Sequence, residues 1–175
     1  MKTHLFKILI LLTVIFAGCE NDQKVKQLPA ETQEGKNTFG CYVENTIWLA
    51  ENDKTCVLCQ QNVNATYDPN TGETIIAAFK YKTDDGYENI RLYSKNINSS
   101  GDFALSIDIN NSMTSYTKTQ SNGTTTDKYL LVNQGNLHIS KLDTVNRIIS
   151  GTFSFNASNG NTTVSITKGV FDAKY

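Results

Sequence analysis

The chain of 175 residues holds two prolines, two histidines and one tryptophan, and these scarcities each remove a class of function. His4 sits in an N-terminal apolar segment, so His138 is the only histidine left to the body of the chain. No His-x-x-x-His pair, Gly-x-Ser-x-Gly elbow or glycine-rich phosphate loop occurs. Common zinc hydrolases, serine hydrolases and nucleotide-dependent enzymes therefore lack their parts. An excess of one charge is missing as well. The 16 basic and 17 acidic residues are interspersed, which leaves no basic patch for nucleic acid and no strong field for an anionic surface. No apolar run reaches the roughly 20 residues of a membrane-spanning helix. Beyond residue 37 no stretch has the period of an amphipathic helix, which argues against an α/β architecture.

What the chain does have begins at its N-terminus. Lys2 and Lys7 precede the apolar run Ile8 to Phe16, and Ala17-Gly18 set small residues before Cys19. This order resembles the lipobox of bacterial lipoproteins, although Phe16 stands where leucine is commoner. The resemblance implies a signal peptide over residues 1–18, cleavage before Cys19 and acylation of its thiol. The expected partner is then a membrane, and the expected location is the outer membrane of the cell envelope, on either its periplasmic or its external side. An ordinary secretory signal with an incidental cysteine is the alternative reading. Each buried acyl methylene contributes about 0.8 kcal/mol, so several chains on one cysteine make a near-permanent anchor. Residues 19–37 are charged and glutamine-rich, with Val25 and Leu28 as their only large aliphatics. Their composition predicts a flexible tether of roughly 20–25 Å r.m.s. span. Residues 38–175 are the size of one domain.

Two-residue alternation runs through that domain and predicts antiparallel strands. Ile75, Ala77, Phe79 and Tyr81 form one such face, and Phe103, Leu105, Ile107 and Ile109 another. Leu137 and Ile139 flank His138, Phe153 and Phe155 flank Ser154, and Val164 and Ile166 flank Ser165. Turn sequences separate the runs, among them Asp68-Pro69-Asn70-Thr71-Gly72, Ser121-Asn122-Gly123, Asn133-Gln134-Gly135 and Ser158-Asn159-Gly160. The expected fold is all-β, with about eight to ten strands in a sandwich or an up-and-down barrel.

Candidate site residues are few. In an oxidising compartment Cys41 is expected to form a disulfide with Cys56 or Cys59. A redox-active Cys56-x-x-Cys59 needs a following helix that the pattern does not offer. A zinc site from Cys41, Cys56, Cys59 and His138 has only one close cysteine pair. Asp84, Asp85, Asp102 and Asp108 are the carboxylates available for acid–base pairing, but turn aspartates usually serve the backbone. Trp48, between Ile47 and Leu49, is expected in the core. Gly151, on the face of Phe153 and Phe155, marks a bend or a close strand approach. Asp172 reads as a solvated edge charge. No cofactor is implied. The expectation is a monomeric, non-enzymatic binding or structural module. Its eight tyrosines and its Asn/Ser/Thr-rich loops suit glycans or envelope or host proteins. A closed barrel carrying a small apolar ligand is one alternative, and a carboxylate-based glycan-active enzyme is another.

Three blocks carry a further likeness: residues 28–41 ending in Thr38-Phe39-Gly40-Cys41, the pair Ile47-Trp48, and the stretch from Ile149-Ser150-Gly151-Thr152-Phe153-Ser154-Phe155 to Asp172. Together they resemble an uncharacterised family of small Bacteroidota lipoproteins defined by a domain of unknown function. The resemblance implies a β-rich envelope lipoprotein without assigned catalytic residues, and order beginning nearer Leu28 than composition suggests. Where relatives tend to have Asn-Gly before the tryptophan, this chain has Asn45-Thr46. Asp143-Thr144-Val145 resembles the O-glycosylation sequon of secreted Bacteroidota proteins, which implies a glycan on Thr144; it also reads as a turn.

Overall fold

The computed structural model describes residues 26–51, 61–82, 86–106 and 113–175. Residues 1–25, with Cys19, and residues 52–60, with Cys56 and Cys59, lie outside them, as do Asp84, Asp85, Ile107, Asp108 and Ile109. Among the described residues there are ten strands: β1 (Thr38–Val43), β2 (Thr46–Leu49), β3 (Val63–Asp68), β4 (Glu73–Lys82), β5 (Gly86–Ser94), β6 (Gly101–Leu105), β7 (Ser115–Thr119), β8 (Thr125–Asp143), β9 (Ile148–Ser158) and β10 (Thr163–Lys174). All ladders are antiparallel. They form a single sheet in the order β2-β1-β10-β9-β8-β7-β5-β4-β3, with β6 beside β8. The all-β expectation holds.

The sheet curls into a half-barrel whose two edges approach one another. Tyr81 N–H of β4 donates to the Glu51 carbonyl, just past β2, at 3.0 Å. Tyr67 of β3 meets Tyr175 ring to ring at 5.3 Å. Inward side chains fill the concavity. Phe39 packs against Phe153 at 4.8 Å and edge-on to Trp48 at 5.8 Å, and Phe153 neighbours Phe155 and Phe171 at 6.4 Å each. Trp48 is in the core, as expected.

Strand β4 turns the opposite face inward from the one its alternation suggests. Thr74, Ile76 and Ala78 are buried, whereas Ile75, Ala77, Phe79 and Tyr81 are half-buried on the outside. The run Ile75-Ile76-Ala77-Ala78-Phe79 is apolar at both parities, so period two cannot choose a face. The ladder chooses it: Ile76 pairs with Leu92 and Ala78 with Ile90, both fully inside. The displaced aromatic set gathers outside, with Tyr81 5.7 Å from Tyr87 and Phe79 5.8 Å from Tyr81.

Asn133-Gln134-Gly135 is not a turn. It lies within the 19-residue β8, where Asn133 adopts φ 60° and the register against β9 slips between Val132 and Asn136. Asparagine and glycine supply the left-handed backbone that a bulge needs as readily as one for a chain reversal. Here β8 also changes its other neighbour, from β7 at residues 125–130 to β6 at residues 135–139. The first hairpin forms without Asn-Gly: Glu44 and Asn45 make a two-residue turn between Val43 and Thr46, with Glu44 at φ 53°.

The tether assignment also changes. Residues 26–37 enter no strand, yet they lie along the outer face of the sheet as a strap. A Cβ added to Gly40 of β1 would fall 2.6 Å from Pro29, and Lys141 Nζ donates to the Gln33 carbonyl at 3.1 Å. The strap is ordered from near Leu28, the position the family likeness implied. Composition missed it because the strap docks through hydrogen bonds rather than apolar burial.

Candidate functional site

Alternation places polar residues on the outer face of β8, β9 and β10. Thr152 and Ser154 stand between buried Gly151, Phe153 and Phe155, and His138 stands exposed between buried Leu137 and Ile139. A barrel exterior is ordinarily convex, but this one is troughed. The ladders on either side of β9 both slip at nearly the same level. On one side β8 slips between Val132 and Asn136, and on the other β10 slips between Ile166 and Gly169. Bulges bend their strands and increase local twist. Lys168, at φ 49°, forms the β10 bulge. At Gly169 a Cβ would meet the Phe153 ring at 2.4 Å, so a glycine there is what lets the phenyl lie under the bend.

The resulting cavity has a volume of about 500 Å³ and is bounded by Leu28 and Glu31 of the strap, Asp102 of β6, and His138, Thr152 and Ser154 of the sheet. A shallower recess of about 250 Å³ shares Asn136 and Ser154 and extends the trough to Gln134, Asn156 and Thr167. Hydroxyls, amides and one imidazole thus share the lining of two adjoining recesses with Phe103, Leu137, Phe153 and Val170. Asp102 and His138 are direct cross-strand partners, with Oδ1 2.7 Å from Nδ1. A carboxylate only accepts, so Nδ1 carries the proton and the imidazole is fixed with Nε2 directed away from the aspartate. Thr152 is the cross-strand neighbour of His138 on the other side. Asp102 was among the candidate carboxylates; its partner is a histidine rather than a second acid.

The strap that walls this trough is fastened by Asp172. The residue expected as a solvated edge charge is 0% exposed. Its carboxylate accepts from Thr32 Oγ1 at 2.6 Å, Gly35 N at 2.8 Å, Lys36 N at 3.1 Å, Glu34 N at 3.2 Å and Ser150 Oγ at 2.7 Å. Three successive backbone N–H groups converging on one anion form a nest. Burial raises the Asp172 pKa, but the Thr32 and Ser150 hydroxyls and the Lys36 and Gly35 amides outweigh it and hold it at about 2. A lowered carboxyl contributes stability that is complete above the unfolded value of about 3.9 and is lost as pH falls through the folded one. Strap docking is therefore expected to weaken progressively from about pH 4 down to pH 2. Faster proteolysis at Lys36 at pH 2.5 than at pH 6, by an acid-tolerant protease, checks this; equal rates contradict it.

On the inner side of the half-barrel a half-buried acid is satisfied differently. Glu88 Oε2 accepts from Trp48 Nε1 at 2.7 Å and Tyr116 OH at 2.9 Å, and Lys82 Nζ lies 2.9 Å from Oε1. Burial pushes the Glu88 carboxyl up, and the bonds from Lys82, Tyr116 and Trp48 bring it below the usual range. Cys41, 0% exposed, carries a free thiol. Burial, only partly offset by Lys80, pushes its pKa to about 12, so it remains a protonated, unreactive core residue. Its expected partners, Cys56 and Cys59, lie outside the described residues, and β1 turns the Cys41 side chain into the packed interior. Of the candidate zinc set, Cys41 faces inward while His138 faces out, so the sheet keeps these two apart. No group of three or more potential metal ligands occurs among the described residues.

Thr144 sits exposed at the β8–β9 turn. The Asp143 carboxylate accepts there from Val145 N at 3.1 Å and Asn146 N at 2.8 Å, so the turn reading accounts for the motif locally. The trough and its strap were missed by sequence reasoning. Their signals were Lys168-Gly169 inside an alternating run and an aspartate on the outward parity of β10 beside Ser150.

These features define a small all-β module built on one curled antiparallel sheet with a strapped outer trough. The family model described as a domain of unknown function (DUF6252) matches residues 43–173, and the chain belongs to that family. No curated protein and no solved structure matches it.

Proposed function

We propose that this chain is a non-catalytic binding module, held at the outer membrane by a lipid on Cys19, whose outer trough takes a hydroxyl-rich ligand such as a glycan segment. The anchor rests on the order of basic, apolar and small residues before Cys19. The binding role rests on one observation, the continuous trough from Leu28 and Glu31 through Thr152 and Ser154 to Asn156 and Thr167. Its hydroxyls and amides match the donors and acceptors of a sugar chain, and Leu28, Phe103 and Val170 add apolar surface for a sugar face. An Asp–His pair that is wide open to solvent serves as a hydrogen-bonding edge. An apolar-ligand carrier is less well supported, because aromatic side chains occupy the concave side.

Screening the lipid-free chain from Glu20 onward on an array of bacterial and host glycans tests the reading. Binding is expected to fall at least about tenfold in Thr152→Arg, which fills the trough from an outward position, with the thermal midpoint unchanged. Binding that survives Thr152→Arg removes the trough from consideration, and an array without any signal removes the glycan.

A further inference from the structure

Residues 26–37 stand between the acylated position and the first strand, and they also form one wall of the trough. The strap touches the sheet through a small number of directional contacts. Lys26 pairs with Glu51 at 2.6 Å, with both side chains solvated, and such a pair contributes at most about 1 kcal/mol. Gln33 reaches the Ser140 carbonyl only at 3.5 Å, its own carbonyl accepts from the Lys141 ammonium at 3.1 Å, and Pro29 lies over Gly40 of β1. Asn37 Oδ1 accepts from Lys174 N at 2.9 Å, at the point where the strap enters β1. Against these, the Asp172 carboxylate gathers three strap amides and the Thr32 hydroxyl. Asp172 is itself fixed from the sheet side by Ser150. Bonds to a buried ionised acceptor are the strong kind, roughly twice the neutral value. The attachment is therefore concentrated at one residue, while the sheet beneath is held by its own ladders.

We propose that the strap is a hinged wall of the trough and that Asp172 is its positioning residue: docking on Asp172 sets Leu28 and Glu31 against the ligand, and release of Asp172 opens that side without unfolding the sheet. This rests on the trough being the binding site. It adds that the segment nearest the anchor shapes the ligand's surroundings, so strap docking and occupancy reinforce each other. A ligand touching Leu28 or Glu31 binds the docked state better than the undocked one and shifts the equilibrium by that difference alone. Local openings of this kind have free energies below that of global unfolding.

Hydrogen exchange followed by mass spectrometry on the full lipidated chain in detergent tests the hinge without any ligand. In the parent protein the amides of residues 34–36 are expected to exchange faster than those of β9 and β10, yet slower than unstructured amides. In Asp172→Asn, exchange of residues 34–36 is expected to accelerate by about 100-fold, with less than about a threefold change in β9. Should Asp172→Asn fail to fold, Thr32→Ala removes one bond from the strap side alone, and about a tenfold acceleration confined to residues 32–36 is expected. Strap and β9 amides that exchange at one common rate, or that accelerate together in either variant, overturn the hinge. A silent glycan array with strap-selective exchange refutes the proposed ligand and leaves the hinge standing, so the two failures are distinguishable.

Discussion

Trp48→Ala is expected to destabilise the domain by about 4–5 kcal/mol, the upper part of the range for buried aromatic truncations. The side chain is 2% exposed, edge-on to Phe39 at 5.8 Å, and its Nε1 donates to Glu88 at 2.7 Å. Truncation removes an indole volume from the interior and takes one of three partners from a half-buried carboxylate, and the two losses fall together. Small domains have about 5–15 kcal/mol of stability in all, so the variant sits near the edge of folding. Trp48→Phe separates the contributions: it retains most of the packing and removes the donor, for an expected loss of about 1.5–2 kcal/mol. Urea unfolding followed by far-ultraviolet circular dichroism measures both, since the only tryptophan is the one replaced. A loss under about 2 kcal/mol for the alanine variant would show that the interior relaxes around the gap and that Glu88 is not dependent on the indole.

Gly151→Ala is the second large effect, and its cause is backbone rather than side chain. A Cβ at this position would lie 1.9 Å from the His138 carbonyl oxygen, across the ladder where β8 slips register between Ile139 and Lys141. Real Cβ atoms do not approach an oxygen so closely, and a carbonyl in a ladder has no rotamer with which to retreat. The strands have to separate, at an expected cost of about 3–4 kcal/mol. Because the displaced backbone carries His138, the trough is disturbed as well. The expected outcome is a joint drop in thermal midpoint and in glycan binding, whereas Thr152→Arg lowers binding alone. A Gly151→Ala protein with the parent's unfolding midpoint would mean that the strands are less closely apposed here than the coordinates place them.

Much of the fold was legible because alternation and burial coincide wherever one face of a strand is apolar and the other polar. Phe153 and Phe155, Leu137 and Ile139, and Val164 and Ile166 all lie inside as their spacing requires. Legibility failed where the pattern was degenerate. In β4 both parities are apolar, and the choice between them rests with Ile90 and Leu92 on the neighbouring strand. Asn133-Gln134-Gly135 encodes a left-handed backbone, and sequence cannot say whether that residue reverses the chain or merely offsets it. Gly151 was readable as a close approach because a glycine beside two phenylalanines in a strand has few other uses. The site was far less visible than the fold. Asp172 meets its partners at residues 32–36 across almost the whole length of the chain, and no local pattern records such a meeting. The Asp102–His138 pair likewise depends on β6 lying against the second half of β8.

The pairing of β1 with β10 has a consequence for how the protein is made. Residues 38–43 take their ladder partners from residues 166–172, so the first strand to leave a ribosome or a translocation channel waits for the last. Contacts of such long sequence separation are closed late and slowly. During that interval the N-terminal segment, including Thr32 and Gly35 with no Asp172 yet to receive them, is extended chain. The same order means that a chain cut short before residue 166 leaves its opening strand paired with β2 alone, and quality control meets an open sheet edge rather than a smaller version of the domain.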